Sequence, residues 1–163
     1  ISGMTQIGYY SRNKYEVYEP RTYITSSYYG NLGYAYPTAL GAKVAQPDKA
    51  VVAVCGDGGF MFNVQELATA AKHQINVVAV VFNDNAYGNV MRDQVNMFDG
   101  REYGAEVHNP DFMKLADAFG VRGVRVDGGA NELQEAVQKS LSIEAPTLIE
   151  VPVGPMPNPF RDY

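Results

Sequence analysis

Short apolar runs recur along this chain at intervals that suit the strands of a buried sheet. Ala50–Val54, Val77–Phe82 and Thr147–Val151 are largely β-branched, and a shorter run lies at Val124–Val126. The first two of these runs have no alternating polar positions, which is typical of strands that are covered on both faces. The pattern therefore predicts four strands, of which Ala50–Val54 and Val77–Phe82 are buried.

The segments between these runs have the spacing and the end signals of helices. Asn63 with Glu66 three positions later has the pattern of a capping box, and Asn109-Pro110-Asp111 has the pattern of a helix start. The predicted helices cover 38–45, from 63 onwards, 109–119 and 131–142.

Strands that alternate with helices predict an α/β fold with a mostly parallel sheet and helices on both faces. The first 36 residues differ, because they hold nine of the twelve tyrosines and show little period. We interpret this opening stretch as a surface for partner subunits, since interfaces are enriched in tyrosine. In parallel sheets ligands bind at the carboxyl ends of the strands, so we look for function there.

Composition narrows the function classes. The 163 residues are 46% hydrophobic, which suits one globular domain, and the net charge of −5 argues against nucleic acid or an anionic membrane as the main partner. The longest apolar run, Val77–Phe82, is too short to span a bilayer. Cys55 is the only cysteine, which excludes an intrachain disulfide. These features lead us to expect a soluble, cytoplasmic protein.

A glycine-rich turn with a carboxylate in its middle follows the first strand. Backbone N–H groups of Gly56-Asp57-Gly58-Gly59 suit a phosphate, but Asp57 would repel it unless a cation lies between them. Asp84 follows the neighbouring strand, and the turn Asn85–Gly88 can offer a backbone carbonyl. Carboxylate, carbonyl and phosphate oxygens together form a typical Mg²⁺ shell.

These motifs resemble a known family. Gly56-Asp57-Gly58, then 24 residues, then Asn83-Asp84 resembles the thiamine-diphosphate signature Gly-Asp-Gly…Asn-Asn. Residues 60–70, Phe-Met-Phe-Asn-Val-Gln-Glu-Leu-Ala-Thr-Ala, are similar to the acetolactate synthase and 2-oxoacid decarboxylase version. Residues 20–23 and 30–42 resemble the stretch of that group that holds the aminopyrimidine. We therefore expect residues 1–163 to form the diphosphate-binding domain of such an enzyme, as a fragment or subunit of a larger assembly.

The resemblance implies a role for each matching position. It assigns Mg²⁺ to Asp57, Asp84 and the Ala86 carbonyl. Gly30 would accept a hydrogen bond from the aminopyrimidine, and Leu32 would bend the cofactor so that its 4′-nitrogen reaches C2. The remaining cofactor-binding positions, led by those assigned to the diphosphate, are Thr5, Gln6, Gly56, Gly58, Gly59, Tyr87 and Gly88.

The sequence departs from the family pattern at two places and contains no match to one of the family's domains. The family commonly has asparagine at the position of Asp84, and the stretch that begins at Asn89 lacks a tryptophan that many acetolactate synthases have nearby. No segment resembles the pyrimidine-binding domain that supplies the family's catalytic glutamate. We therefore expect a partner domain on the same or a neighbouring chain, a homodimer or homotetramer, and no turnover by this chain alone. FAD in a further domain is left open.

Other interpretations predict different behaviour. A natural subunit of a split 2-oxoacid decarboxylase would have a separate partner chain. A non-catalytic cofactor-binding module would bind without turnover even with the partner domain restored. A dinucleotide-binding domain would bind NAD without Mg²⁺, but Met61 stands where that fingerprint has its third glycine. Arg92 is a candidate for contact with a substrate carboxylate.

Overall fold

The computed structural model describes residues 1–26 and 28–159 as an α/β domain built on four strands. All neighbouring strands run parallel, in the order β1-β2-β4-β3. The strands are β1 Val52–Gly56, β2 Val78–Asn83, β3 Arg122–Arg125 and β4 Thr147–Pro152. The predicted fold class, a mostly parallel sheet with helices on both faces, is confirmed.

Seven helices accompany the strands within the described ranges. They are α1 Gln6–Lys14, α2 Ala35–Ala45, α3 Asp57–Met61, α4 Glu66–His73, α5 Gly88–Met97, α6 Phe112–Ala118 and α7 Ala130–Leu141. In this part of the chain no helix is long and apolar enough to cross a membrane.

Successive strand residues contribute to two separate cores. Ala79 and Val81 of β2 face the core that α2, α3, α4 and α6 cover, whereas Val78 and Val80 face the core that α7 covers. Because side chains along a strand point alternately to the two faces, an apolar run fills both cores at once. The central strands β2 and β4 are almost completely buried for this reason.

The beginning of the chain extends the sheet beyond β1. Ser2 forms isolated parallel bridges with Val54 and with Thr25. Gly3 N–H donates to the Val54 carbonyl at 2.9 Å, and Val54 N–H donates to the Ile1 carbonyl at 2.7 Å. These bonds bring the start of α1 to the carboxyl end of β1, next to the glycine-rich turn.

Some predicted boundaries are wrong. Gly56–Gly59 is not only a turn, because the five-residue helix α3 begins at Asp57. Asn63 does not cap α4, which begins after Gln65 without a side-chain cap, and Asn63 Nδ2 instead donates to the Gly33 carbonyl at 2.8 Å. The helices α1 and α5 lie in segments for which the sequence predicted no helix.

Candidate functional site

A cleft of about 250 Å³ lies at the carboxyl edge of the sheet, between the ends of β1 and β2. All twelve positions that the sequence singled out line this cleft: Thr5, Gln6, Gly30, Leu32, Gly56, Asp57, Gly58, Gly59, Asp84, Ala86, Tyr87 and Gly88. These residues come from four separate stretches of chain, so their convergence is a property of the fold and not of their proximity in sequence.

The parallel pairing of β1 with β2 places the two carboxylates side by side. Gly56 pairs with Phe82, so Asp57 and Asp84 follow strands that end at the same level. Asp57 is only 2% exposed, whereas Asp84 is half-buried. Burial, and after it the negative charge of Asp57, raise the pKa of Asp84 to about 6. The pair therefore concentrates negative charge that a bound cation would neutralise.

The turn after β2 is fixed by a second stretch of chain. Ala86 forms an antiparallel bridge with Glu106, Tyr87 N–H donates to the Ala105 carbonyl at 2.7 Å, and Val107 N–H donates to the Asn85 carbonyl at 2.9 Å. The amide of Ala86 also donates to Oδ1 of Asp84 at 3.2 Å. These contacts define where the Ala86 carbonyl and the Asp84 carboxylate stand.

Three glycines of the cleft lie against side chains too closely to carry one themselves. A Cβ atom on Gly56 would lie 2.6 Å from Oγ1 of Thr5, and one on Gly58 would lie 2.6 Å from the Tyr87 ring. A Cβ atom on Gly88 would lie 2.8 Å from Oδ2 of Asp84. Any side chain at these positions would collide with Thr5, Tyr87 or Asp84, which themselves line the cleft.

The donor set fits a magnesium ion held jointly by protein and phosphate. In residues 1–26 and 28–159 no group of three or more His, Cys, Asp and Glu side chains is placed to hold a metal. Two carboxylates and a backbone carbonyl are about half of an octahedral shell, and Mg²⁺ commonly takes the rest from substrate phosphates and water.

Gly30 and Leu32 lie on the wall of the cleft that belongs to the tyrosine-rich opening stretch. Gly30 has φ +64, a left-handed conformation that glycine adopts without strain. A Cβ atom on Gly59 would lie 3.7 Å from Cδ2 of Leu32, so the leucine side chain reaches the glycine-rich turn.

The sequence missed several residues of the cleft. Its lining also includes Met4, Tyr9, Phe82, Asn89, Val90, Val153 and Met156. These residues belong to no local motif, and only the tertiary fold brings them to the site.

Asn109 is the most informative of the missed residues. Asp111, and not Asn109, is the cap of α6, because its side chain accepts from the amides of Met113 and Lys114. Asn109 Nδ2 instead donates to Oδ2 of Asp57 at 2.6 Å. The Asn-Pro-Asp sequence offers two possible caps, and the choice of Asp111 leaves Asn109 available to the site.

A second cleft, of about 510 Å³, adjoins the first and shares Gln6, Asp84, Ala86, Gly88 and Met156 with it. Arg92 lines this second cleft, and its Nη1 donates to Oε1 of Gln6 at 2.6 Å. A larger groove of about 620 Å³ lies at the amino ends of β1 and β2, but none of the twelve positions lines it.

Comparison with known proteins agrees with this geometry. Residues 3–151 match the family model described as the thiamine pyrophosphate enzyme, C-terminal TPP binding domain. The chain belongs to this family. It is a C-terminal domain for thiamine pyrophosphate, which is the same molecule as thiamine diphosphate, and the alternative of a dinucleotide-binding domain is wrong.

Similar proteins are several times longer than this chain. The domain is 38% identical over 141 residues to a probable acetolactate synthase large subunit of Methanococcus aeolicus, covering 83% of this chain and 23% of that protein. It is 41% identical over 143 residues to the mitochondrial acetolactate synthase catalytic subunit of Aspergillus candidus, covering 84% and 20%. The chain thus spans about a fifth to a quarter of the length of these relatives.

A solved structure has the same fold. The thiamine diphosphate-dependent 4-hydroxybenzoylformate decarboxylase of Rhodococcus jostii RHA1 superposes with a TM-score of 0.71 at 36% identity, covering 77% of this chain and 24% of that one. The chain is therefore a TPP-binding domain of the enzyme family that contains acetolactate synthases and decarboxylases.

Proposed function

We propose that this domain holds thiamine diphosphate through Mg²⁺ in an acetolactate synthase-like enzyme that decarboxylates a 2-oxo acid, with or without joining the product to a second carbonyl compound. The observation that carries the proposal is the convergence of all twelve sequence-predicted positions on one cleft. The similarity to acetolactate synthases and to a thiamine diphosphate-dependent decarboxylase supports the reaction class.

In this proposal Asp57, Asp84 and the Ala86 carbonyl bind the metal ion. The metal neutralises the two adjacent carboxylates and links them to the diphosphate, which would otherwise be repelled by the same charges. Asp84 replaces the asparagine that is common in the family, and a carboxylate is as good an oxygen ligand as an amide.

The diphosphate would lie against the glycine-rich turn and the start of α1. We assign the amides of Gly58 and Gly59, with Thr5 and Gln6, to its oxygens, and the other cleft residues that we assign to the cofactor are Gly56, Tyr87 and Gly88. When bound, thiamine diphosphate supplies a thiazolium carbon that can accept and stabilise the electron pair left by decarboxylation.

The opening stretch would hold the other end of the cofactor. We assign the Gly30 carbonyl to the aminopyrimidine amino group and Leu32 to the bend between the two rings, because both line the same cleft as the two carboxylates. The adjoining cleft of about 510 Å³ is our candidate for the 2-oxo acid, with Arg92 among its lining residues.

The domain would work only with a partner. We propose that residues 1–163, of which 27 and 160–163 lie outside the described part, form one diphosphate-binding domain. A pyrimidine-binding domain of the same or a neighbouring chain, in a homodimer or homotetramer, would complete the site. The chain by itself would then bind cofactor without turnover. A split decarboxylase subunit and a non-catalytic binding module remain the alternatives, and restoring the partner domain distinguishes them: only the module stays inactive.

Isothermal titration of thiamine diphosphate into the chain, with Mg²⁺ and then with chelator, tests the proposal. We expect heat that depends on Mg²⁺ and that disappears in Asp57→Ala. Asp48→Ala is the matched control, since Asp48 is exposed and lines the groove at the opposite edge. Binding that is independent of Mg²⁺, or unchanged in Asp57→Ala, would contradict the metal assignment.

A further inference from the structure

A chain of polar side chains crosses the carboxyl edge of the sheet in the order of its strands. Asn109 Nδ2 bonds to Oδ2 of Asp57, after β1, at 2.6 Å and to Oδ1 of Asn83, at the end of β2, at 3.0 Å. Asn83 Nδ2 donates to Oε1 of Glu150 in β4 at 2.8 Å, and Nη1 of Arg125 in β3 donates to Oε2 of Glu150 at 3.1 Å. Residues of β2, β3 and β4 thus form a network that ends on Asp57, the residue that follows β1.

The charges at the two ends determine which way each amide points. Glu150 is 4% exposed and paired with Arg125, and an ionised carboxylate only accepts hydrogen bonds. The NH₂ group of Asn83 must therefore face Glu150, which leaves its oxygen facing Asn109. Asn109 must then present its own NH₂ group, which donates to Asp57 and Asn83 and, at the longer distance of 3.3 Å, to Oδ1 of Asn85. Reversing either amide would place oxygen against oxygen.

The Asn109 side chain can bond to Asp57 and Asn83 because it does not cap α6. Asp111 caps that helix, so the Asn109 side chain does not form the capping hydrogen bond that its sequence position suggests. Its shortest hydrogen bond is to Oδ2 of Asp57, at 2.6 Å, a length typical of a charge-assisted bond. The bond to Oδ2 does not use the lone pairs of Oδ1.

We propose that Asn109 is a positioning residue for Asp57, and that the line Arg125–Glu150–Asn83 fixes the orientation of Asn109. The proposal rests on the proposed function, in which Asp57 binds Mg²⁺. Holding one carboxylate oxygen keeps the side chain in a single rotamer, so that the other oxygen is directed to the metal before the metal arrives. Partners of metal ligands typically change metal affinity by about 10- to 100-fold when they are removed.

The first test measures the Mg²⁺ concentration that half-saturates binding, by titration calorimetry of the full chain at saturating thiamine diphosphate. We expect Asn109→Ala to raise this concentration by about 10-fold or more. Its thermal midpoint in chelator should stay close to that of the wild type, because Asn109 is only half-buried. Asn131→Ala is the matched control: Asn131 is exposed in α7, and its removal should change neither quantity.

The second test asks whether Glu150 acts through Asn109. In Glu150→Gln the side chain at 150 can donate or accept, so Asn83 and Asn109 lose their imposed direction, and we expect the half-saturating Mg²⁺ to rise. If Glu150→Gln acted only by removing a negative charge at a distance, it would weaken Mg²⁺ binding equally in the wild type and in Asn109→Ala. We expect instead that Glu150→Gln has less than about a twofold effect in Asn109→Ala, because side chains in one network are not additive.

A third measurement is independent of the cofactor. The side-chain ¹⁵N–H signals of Asn109, assigned by their loss in Asn109→Ala, should shift in metal-free Asp57→Asn and in metal-free Glu150→Gln. Shifts without any Mg²⁺-dependent binding by the wild type would contradict the proposed function and leave the network intact. Unchanged signals, additive effects of the two variants, or an Asn109→Ala protein that unfolds in chelator would overturn the positioning role.

Discussion

Gly88 lies directly against the carboxylate of Asp84, since a Cβ atom at position 88 would stand 2.8 Å from Oδ2. We expect Gly88→Ala to displace Asp84 from the metal position and to raise the half-saturating Mg²⁺ by about 10-fold or more, as measured by titration calorimetry. Gln6 Nε2 lies 3.1 Å from the same Cβ position, so the added methyl group has little room to move the other way.

Gly41→Ala is the control for this glycine substitution. Gly41 lies inside α2, and a Cβ atom there would meet no atom within 4 Å. We expect unchanged Mg²⁺ dependence and a gain in stability of about 0.5–1 kcal/mol, because alanine is the better helix former. A Gly88→Ala protein that binds Mg²⁺ as the wild type does would remove Asp84 from the proposed shell.

The metal-free protein should become less stable as the pH rises from about 4 to about 7. Asp84 has a pKa of about 6 in the folded chain against 3.8 when unperturbed, so the folded state binds more protons than the unfolded state between these values. The stability that this difference contributes is fully present below the pKa of Asp84 in the unfolded chain, and it is lost as the pH rises past the pKa of Asp84 in the folded chain. Asp84 is half exposed to solvent, which reduces the expected loss to about 1 kcal/mol.

Denaturant unfolding in chelator, of the wild type and of Asp84→Asn, measures this effect. We expect the stability difference between the two proteins to change across this pH range, with Asp84→Asn gaining relative to the wild type at pH 7. Equal pH profiles would show that neither burial nor the charge of Asp57 raises the pKa of Asp84 in the folded chain.

Strands β1 and β2 follow from the sequence because buried parallel strands have continuous apolar runs. Strand β3, Arg122–Arg125, has no such run, and the predicted Val124–Val126 overlaps it at only two residues. Val77–Phe82 predicts β2 to within one residue at each end. The glycine-rich turn and Asp84 could also be placed together, because parallel strands end at a common edge. These predictions depend on local pattern and on one general rule of sheet geometry.

Other features could not be predicted, because no local pattern encodes them. The helix α5 runs from Gly88 to Met97 with no fully buried residue, and none of its side chains belongs to either core that the strand and helix pattern predicts. Asn63 and Asn109 have the local features of helix caps, yet both side chains bind groups far away in sequence, at Gly33 and Asp57. An asparagine side chain hydrogen-bonds to whichever donors and acceptors the fold places beside it, and the sequence shows only those that are near it in the chain.

The Cys55 thiol should not react in the folded protein. Cys55 is the fourth residue of β1 and is 3% exposed, and burial raises its pKa to about 12. The reactive thiolate is therefore scarce at pH 8 as well as inaccessible. We expect negligible alkylation by iodoacetamide under native conditions and complete alkylation in denaturant, as followed by mass spectrometry. Rapid native alkylation would contradict the burial of Cys55.

Leu32→Ala separates cofactor binding from cofactor conformation. Leu32 lines the cleft beside the glycine-rich turn but is no ligand of the metal, so we expect the Mg²⁺-dependent affinity to change by less than about fivefold. In the enzyme reconstituted with its pyrimidine-binding domain, hydrogen–deuterium exchange at C2 of the cofactor should slow by about 10-fold or more, because that step needs the two rings held in one geometry. Leu141→Ala, at an exposed position that ends α7, should alter neither property. Exchange at the wild-type rate in Leu32→Ala, as measured by NMR, would remove Leu32 from the mechanism while leaving its contact with the cleft unaffected.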